Sequence, residues 1–117
     1  MQLVDQVCSL ELSKRLKELG VKQESLFCWT TELDLEFLPT RLRNPNICVA
    51  AFTVAELGEM LPERHRTHKE KDCWYVTTHH CLRCDGHDHL WSDKNEANAR
   101  AKMLIYLIEN KLMEVPQ

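Results

Sequence analysis

The segment at 79–89 reads HHCLRCDGHDH and sets two cysteines and four histidines around one glycine. Thiolates and imidazoles are the side chains that hold zinc. Cys81 and Cys84 have the C-x-x-C spacing at which two thiolates on a tight turn share one ion, and Arg83 between them favours the thiolate form. His87 and His89 lie two apart, so on a strand they project from one face. Cys81, Cys84, His87 and His89 therefore form a candidate zinc site that would clip a hairpin shut, with His79 as the substitute ligand. The competing reading is a polar hairpin tip in solvent. No second C-x-x-C follows, and His-x-His departs from the wider histidine spacing of standard zinc folds.

Catalysis finds no comparable pattern. A strand–turn–strand–helix with His79 or His80 on the hairpin and Asn95 or Asn98 on the helix resembles ββα-metal nucleases in outline. The metal-binding histidine that the helix needs is absent, since no histidine follows His89. Cysteine–histidine pairs are plentiful, but nothing marks one as activated. There is no phosphate loop, paired-carboxylate motif or H-E-x-x-H. The chain reads as non-enzymatic.

Binding is the more natural role. Arg41 and Arg43 in PTRLRNPN, and Arg64 and Arg66 in RHRTHKEK, concentrate positive charge in two segments. Guanidinium forks suit phosphate oxygens. Trp29, Trp74, Tyr75 and Trp91 offer flat faces on which a base can stack. The sharpest expectation is a nucleotide site in which Arg41, Arg43, Arg64 and Arg66 hold phosphates while Trp29 or Trp74 stacks the base. Against it stands the ordinary fate of these residue types, tryptophan in cores and arginine on solvated loops. His65 and His68, among Arg64, Arg66, Lys69 and Lys71, read as part of such a loop.

The elements that must position these residues follow from pattern. A chain of 117 residues has the length of one domain. Its net charge of -3 makes it no general attractor of nucleic acid, which is the less expected partner. MQLVDQVCSLELSKRL lacks the early positive charge and apolar stretch of a secretory signal, and MLIYLI at 103–108 is too short to span a bilayer. A cytoplasmic protein with no membrane partner is expected. Cys8, Cys28 and Cys48, alone among apolar neighbours, read as reduced core residues.

SLELSKRLKELG predicts a helix with Ser9 as N-cap, Leu12, Leu16 and Leu19 on one face, and Gly20 at a Schellman ending closed by Leu16 and Val21. SLFCW, LDLEF and ICVAAF are strand candidates, and PTRLRNPN is a loop. In TVAELGEMLP, Thr53 and Glu56 make a capping box, and Phe52 can staple onto Leu57. ERHRTHKEKD reads as a charged connection. CWYVTTHH and HDHLW are then the two strands of a hairpin turning at Asp85-Gly86. A long last helix, capped by Asp93 with Glu96, carries Ala97, Ala101, Leu104, Ile108 and Leu112 on one stripe and is apolar nearly all round in its middle. Such a helix is either sunk centrally in its own domain or shared with a second subunit, which would make a homo-oligomer. Together these elements predict an α+β fold, a small antiparallel sheet with helices on one face.

Three stretches, VCSLELSKRLKELGVKQESLFCW, AAFTVAELGEMLP and ANARAKMLIYLIEN, together resemble a family of small phage and prophage proteins. The resemblance covers the first quarter, a central block and the last quarter of the chain. It implies an accessory gene product that acts on the host, in a class where some members counter immunity by binding a host defence protein, a nuclease complex or a nucleotide second messenger. It carries over no site residues.

Overall fold

In a computed structural model, residues 3–29, 35–37, 49–62, 65–78 and 89–116 are described. A short 3-10 helix at Leu3–Gln6 precedes α1 (Leu10–Glu18), and β1 (Phe27–Trp29), β2 (Leu35–Phe37) and β3 (Val49–Ala50) follow. Then come α2 (Val54–Met60), β4 (His65–Glu70), β5 (Cys73–Thr78), β6 (His89–Asp93) and α3 (Glu96–Glu109). The class is α+β, with the strands divided between two antiparallel sheets ordered β2-β1-β3 and β4-β5-β6.

Local chemistry fixes the helix ends. The Ser9 side chain accepts from the Leu12 N–H at 3.4 Å to open α1. Gly20 closes it at φ 91, a left-handed position that costs a residue without a Cβ nothing. Val21 N–H reaches the Leu16 carbonyl at 3.1 Å and Gly20 N–H the Lys17 carbonyl at 3.0 Å, the two bonds of a Schellman ending. At α2 the capping box forms: Glu56 N–H donates to Thr53 Oγ1 at 3.2 Å and Thr53 N–H to Glu56 Oε1 at 2.9 Å. Asn95, rather than Asp93, caps α3 by accepting from Asn98 N–H. Asp93 lies two residues earlier and accepts the Asn95 N–H at 2.9 Å.

The apolar last helix is central to its own chain. Ala97, Ala99, Ala101, Met103, Leu104, Ile105, Leu107 and Ile108 are all buried, and α3 packs against α1, α2, β5 and β6. A subunit interface through this helix is therefore not needed to cover it. Phe52, Leu57, Leu16 and Val76 join α3 in one core. Trp29, Val7 and Ala51 form a second, smaller cluster.

The charged stretch expected as a connection is instead the strand β4. It pairs with all of β5 across a two-residue turn in which Lys71 takes φ 54. Its charge obscures it, because an edge strand with one face in water needs few apolar residues. The expected hairpin forms as β5 against β6, with Thr78 opposite His89; its Asp85-Gly86 turn lies outside the described residues. The ICVAAF run also divides. Ala51 N–H still bonds Phe27 of β1, but the Phe52 carbonyl accepts from Cys8 N–H at 3.0 Å and Thr53 bridges Val7. No described helix is long and apolar enough to cross a membrane.

Candidate functional site

The register of the β4–β5 hairpin puts Lys69 directly opposite Trp74. The Lys69 ammonium lies 5.7 Å from the Trp74 ring centroid, within the range of a cation–π contact. Trp74 is half-buried with its inner side against the main core. The turn into α3 brings Lys94, Asn95, Glu96 and Arg100 to the same place, beside the start of α2 at Thr53. These groups line an open cleft of about 860 Å³, within the size range of small-molecule sites.

Arg100 is the fixed member of the set. Its side chain is 16% exposed and holds Glu96 at 3.0 Å. Its Nη1 donates to the Val54 carbonyl at 3.3 Å, and the buried Nε–H has no partner among the described residues. The guanidinium lies against α2 at Gly58, where an added Cβ would collide with Nη1. Glycine there leaves the room that the arginine occupies.

The cleft lining is cationic on balance. Lys69, Lys94 and Arg100 face Asp5 and Glu96, and Glu96 is already committed to Arg100. Lys69 and Lys94 are exposed and form no ion pair among the described residues. A second cleft, of about 780 Å³, contains Glu24, Glu56, Glu59 and Glu114 against Lys22 alone and repels an anion. Of the two clefts, the Trp74 one is the more favourable to an anion.

Asp93 anchors the turn that carries Lys94. Partial burial pushes its carboxyl pKa up, but hydrogen bonds from Lys102 and the Asn95 N–H outweigh that and hold it below the ordinary value. The Lys102 ammonium sits 2.8 Å away. A carboxyl so depressed contributes stability above its ordinary range, and the contribution is lost as pH falls through its own lower value.

The residues singled out by sequence separate. Trp74 is in the cleft. Trp29 is only 6% exposed and its indole N–H donates to the Cys8 carbonyl at 3.2 Å, so its faces are committed to packing rather than to a base. Arg66 pairs with Thr77 and therefore projects from the opposite sheet face to Lys69 and Trp74. It is not among the described residues that line the Trp74 cleft. Arg41, Arg43, Arg64, Cys81, Cys84, His87 and His79 lie outside the described residues. His89 is half-buried with its ring 4.9 Å from that of Tyr106. Among the described residues no three histidine, cysteine or carboxylate side chains gather as metal ligands.

Lys69, Lys94 and Arg100 were not singled out as ligands by sequence. Lys69 was legible only through the hairpin register, and Arg100 reads locally as the partner of Glu96 four residues earlier. Cys8 and Cys28 are buried as expected of core thiols, and burial raises the Cys8 pKa to about 11, which leaves it unreactive near neutral pH. Comparisons with family models, curated proteins and solved structures gave no match to this chain.

Proposed function

We propose that the protein binds a nucleotide in the Trp74 cleft and acts by sequestering it, as a phage accessory protein would sequester an immune signal of its host. The observation that carries the reading is the Lys69 ammonium over the Trp74 ring, without an ion pair among the described residues, in a cleft that also holds Lys94 and Arg100. A base stacks where Lys69 now rests, and Lys69 moves to a phosphate. Lys94 supplies a second mobile charge and Arg100 a fixed one. The reading is capture rather than turnover. The resemblance to small phage proteins supplies the host context.

Calorimetry against cyclic oligonucleotides and ADP-ribose derivatives tests this. Trp74→Ala should weaken binding by about 1–3 kcal/mol, the usual worth of a base stacked on an aromatic ring. Lys94→Ala should weaken it less and flatten its salt dependence. No heat of binding from the unaltered protein, or binding indifferent to Trp74, would refute the reading.

A second reading is favoured by the other face of the β4-β5-β6 sheet. There His68 and Tyr75, directly opposed, stack with centroids 5.2 Å apart and planes 15° from parallel, and exposed Arg66 projects from the same face. This face would meet a host protein or single-stranded nucleic acid directly, with the hairpin tip clipped by zinc on Cys81, Cys84, His87 and His89. A salt-sensitive gel shift lost in Arg66→Ala would favour it. So would about one zinc per chain in elemental analysis of untagged protein.

A further inference from the structure

The two sheets have four outer strands, and three of them are protected against pairing with another chain. β2 spans three residues and β3 two, too short to template a partner. β4 is longer but reads HRTHKE, with exposed Arg66, Lys69 and Glu70 along it. Among the described residues β6 is the least protected edge, its one formally charged side chain, Asp93, being paired with Lys102. Its sequence HLWSD contains no lysine, arginine or proline, and its five residues pair with β5 without a bulge. Among the described residues, β5 is its only strand partner. Two of the three large apolar side chains that the described surface exposes, Leu90 at 57% and Trp91 at 38%, stand on this one strand.

The strand is also complementary to itself. Antiparallel pairing about a two-fold axis at Trp91 opposes His89 to Asp93 of a second copy, Leu90 to Ser92, and Trp91 to Trp91. It is the one register that pairs all five residues. Residues directly opposed in an antiparallel pair share a sheet face. Asp93, Trp91 and His89 lie opposite Trp74, Val76 and Thr78, on the face that packs on α3. The two Trp91 rings would then meet beside Tyr106 of each copy, 5.6 Å from Trp91 within the chain. On the same face each Asp93 carboxylate would meet an imidazole.

We propose that β6 is a homodimer interface, joining two copies edge to edge into a continuous β4-β5-β6-β6-β5-β4 sheet with both α3 helices on one face. The pairing is independent of what the Trp74 cleft binds. It continues the β4-β5-β6 ladder and covers Leu90 and Trp91 at once.

Sedimentation velocity of the full chain over a range of concentrations tests it, with Leu90→Lys as the edge-blocking variant. The unaltered chain should sediment as a dimer, and Leu90→Lys should raise its dissociation constant at least about tenfold by setting a lysine on the open edge. Circular dichroism checks that the variant is folded. Disulfide trapping with copper phenanthroline tests the register without relying on that variant. In this pairing the two residues at position 91 have Cα atoms roughly 4.5–5.5 Å apart, within disulfide reach. The two at position 90 are offset by two residues along the strands, which with the inter-strand spacing puts their Cα atoms roughly 8 Å apart, beyond it. Trp91→Cys should therefore crosslink readily and Leu90→Cys should not. A monomer at every concentration, a dimer untouched by Leu90→Lys, or crosslinking at 90 in preference to 91 would overturn the proposal. A monomeric chain would leave the edge to a strand of another protein.

Discussion

Replacing Phe52 by alanine should destabilise the protein by about 3–5 kcal/mol, a large part of what a domain of this size has in total. Phe52 is 1% exposed and belongs to the same core cluster as Leu57, Leu16, Met103 and Leu104. Its backbone is held from the other side, because its carbonyl accepts from Cys8 N–H at 3.0 Å. With the chain pinned there, the neighbours cannot close over the space that a phenyl ring leaves, so the cavity term adds to the lost transfer energy. Urea denaturation should show a lower midpoint at unchanged slope. Leu26, which is 57% exposed, is the control: Leu26→Ala should stay within about 0.5 kcal/mol. Equal losses at the two sites would mean that the core is not organised around Phe52.

Glu56 should give the next largest loss, although it lies on a seven-residue helix and is only partly buried. Its Oε1 accepts from Thr53 N–H at 2.9 Å and from the Ser25 hydroxyl at 2.7 Å, and its Oε2 accepts from Leu26 N–H at 3.2 Å. One carboxylate thus caps α2 and ties down the approach to β1. Glu56→Ala should cost about 2–3 kcal/mol, since a charge-assisted bond is worth about 1.5–3 and the cap about 1, and the contributions overlap. Glu56→Gln retains an acceptor for the cap but loses one oxygen and the charge, and should cost about half as much. Chemical denaturation of both variants checks the order. A glutamine variant as unstable as the alanine one would place the effect in the charge rather than in the cap.

Those two residues show what sequence reading can reach. The capping box at Thr53 and Glu56 and the Schellman ending at Gly20 are written within a few positions, and both are present. The use of Glu56 by Ser25 and Leu26 is not written locally, because it depends on where a segment thirty residues earlier is laid. The same distinction separates the tryptophans. Trp29 and Trp74 sit in similar short apolar runs, yet packing buries one and leaves the other at a cleft. The α+β class and the β5–β6 pairing were legible from alternation and turn residues. The β4 strand was not, since charge on an edge looks the same as charge on a loop, and with it went the register that brings Lys69 to Trp74. The change of partner inside ICVAAF, from β1 to the chain at Val7 and Cys8, was hidden too, because the run is too uniformly apolar to mark it.

The burial of α3 on nearly every side has a consequence for how the molecule comes apart. The sheets β2-β1-β3 and β4-β5-β6 share no strand pairing. The second packs on α3 directly, and the first reaches it through α1, which touches both β3 and α3. Three-stranded ribbons this narrow need a packing partner to persist. An outer strand of either sheet can fray at a fraction of the total stability while the other sheet stays whole. Any fluctuation that lifts α3 removes the support of both sheets together and becomes complete unfolding.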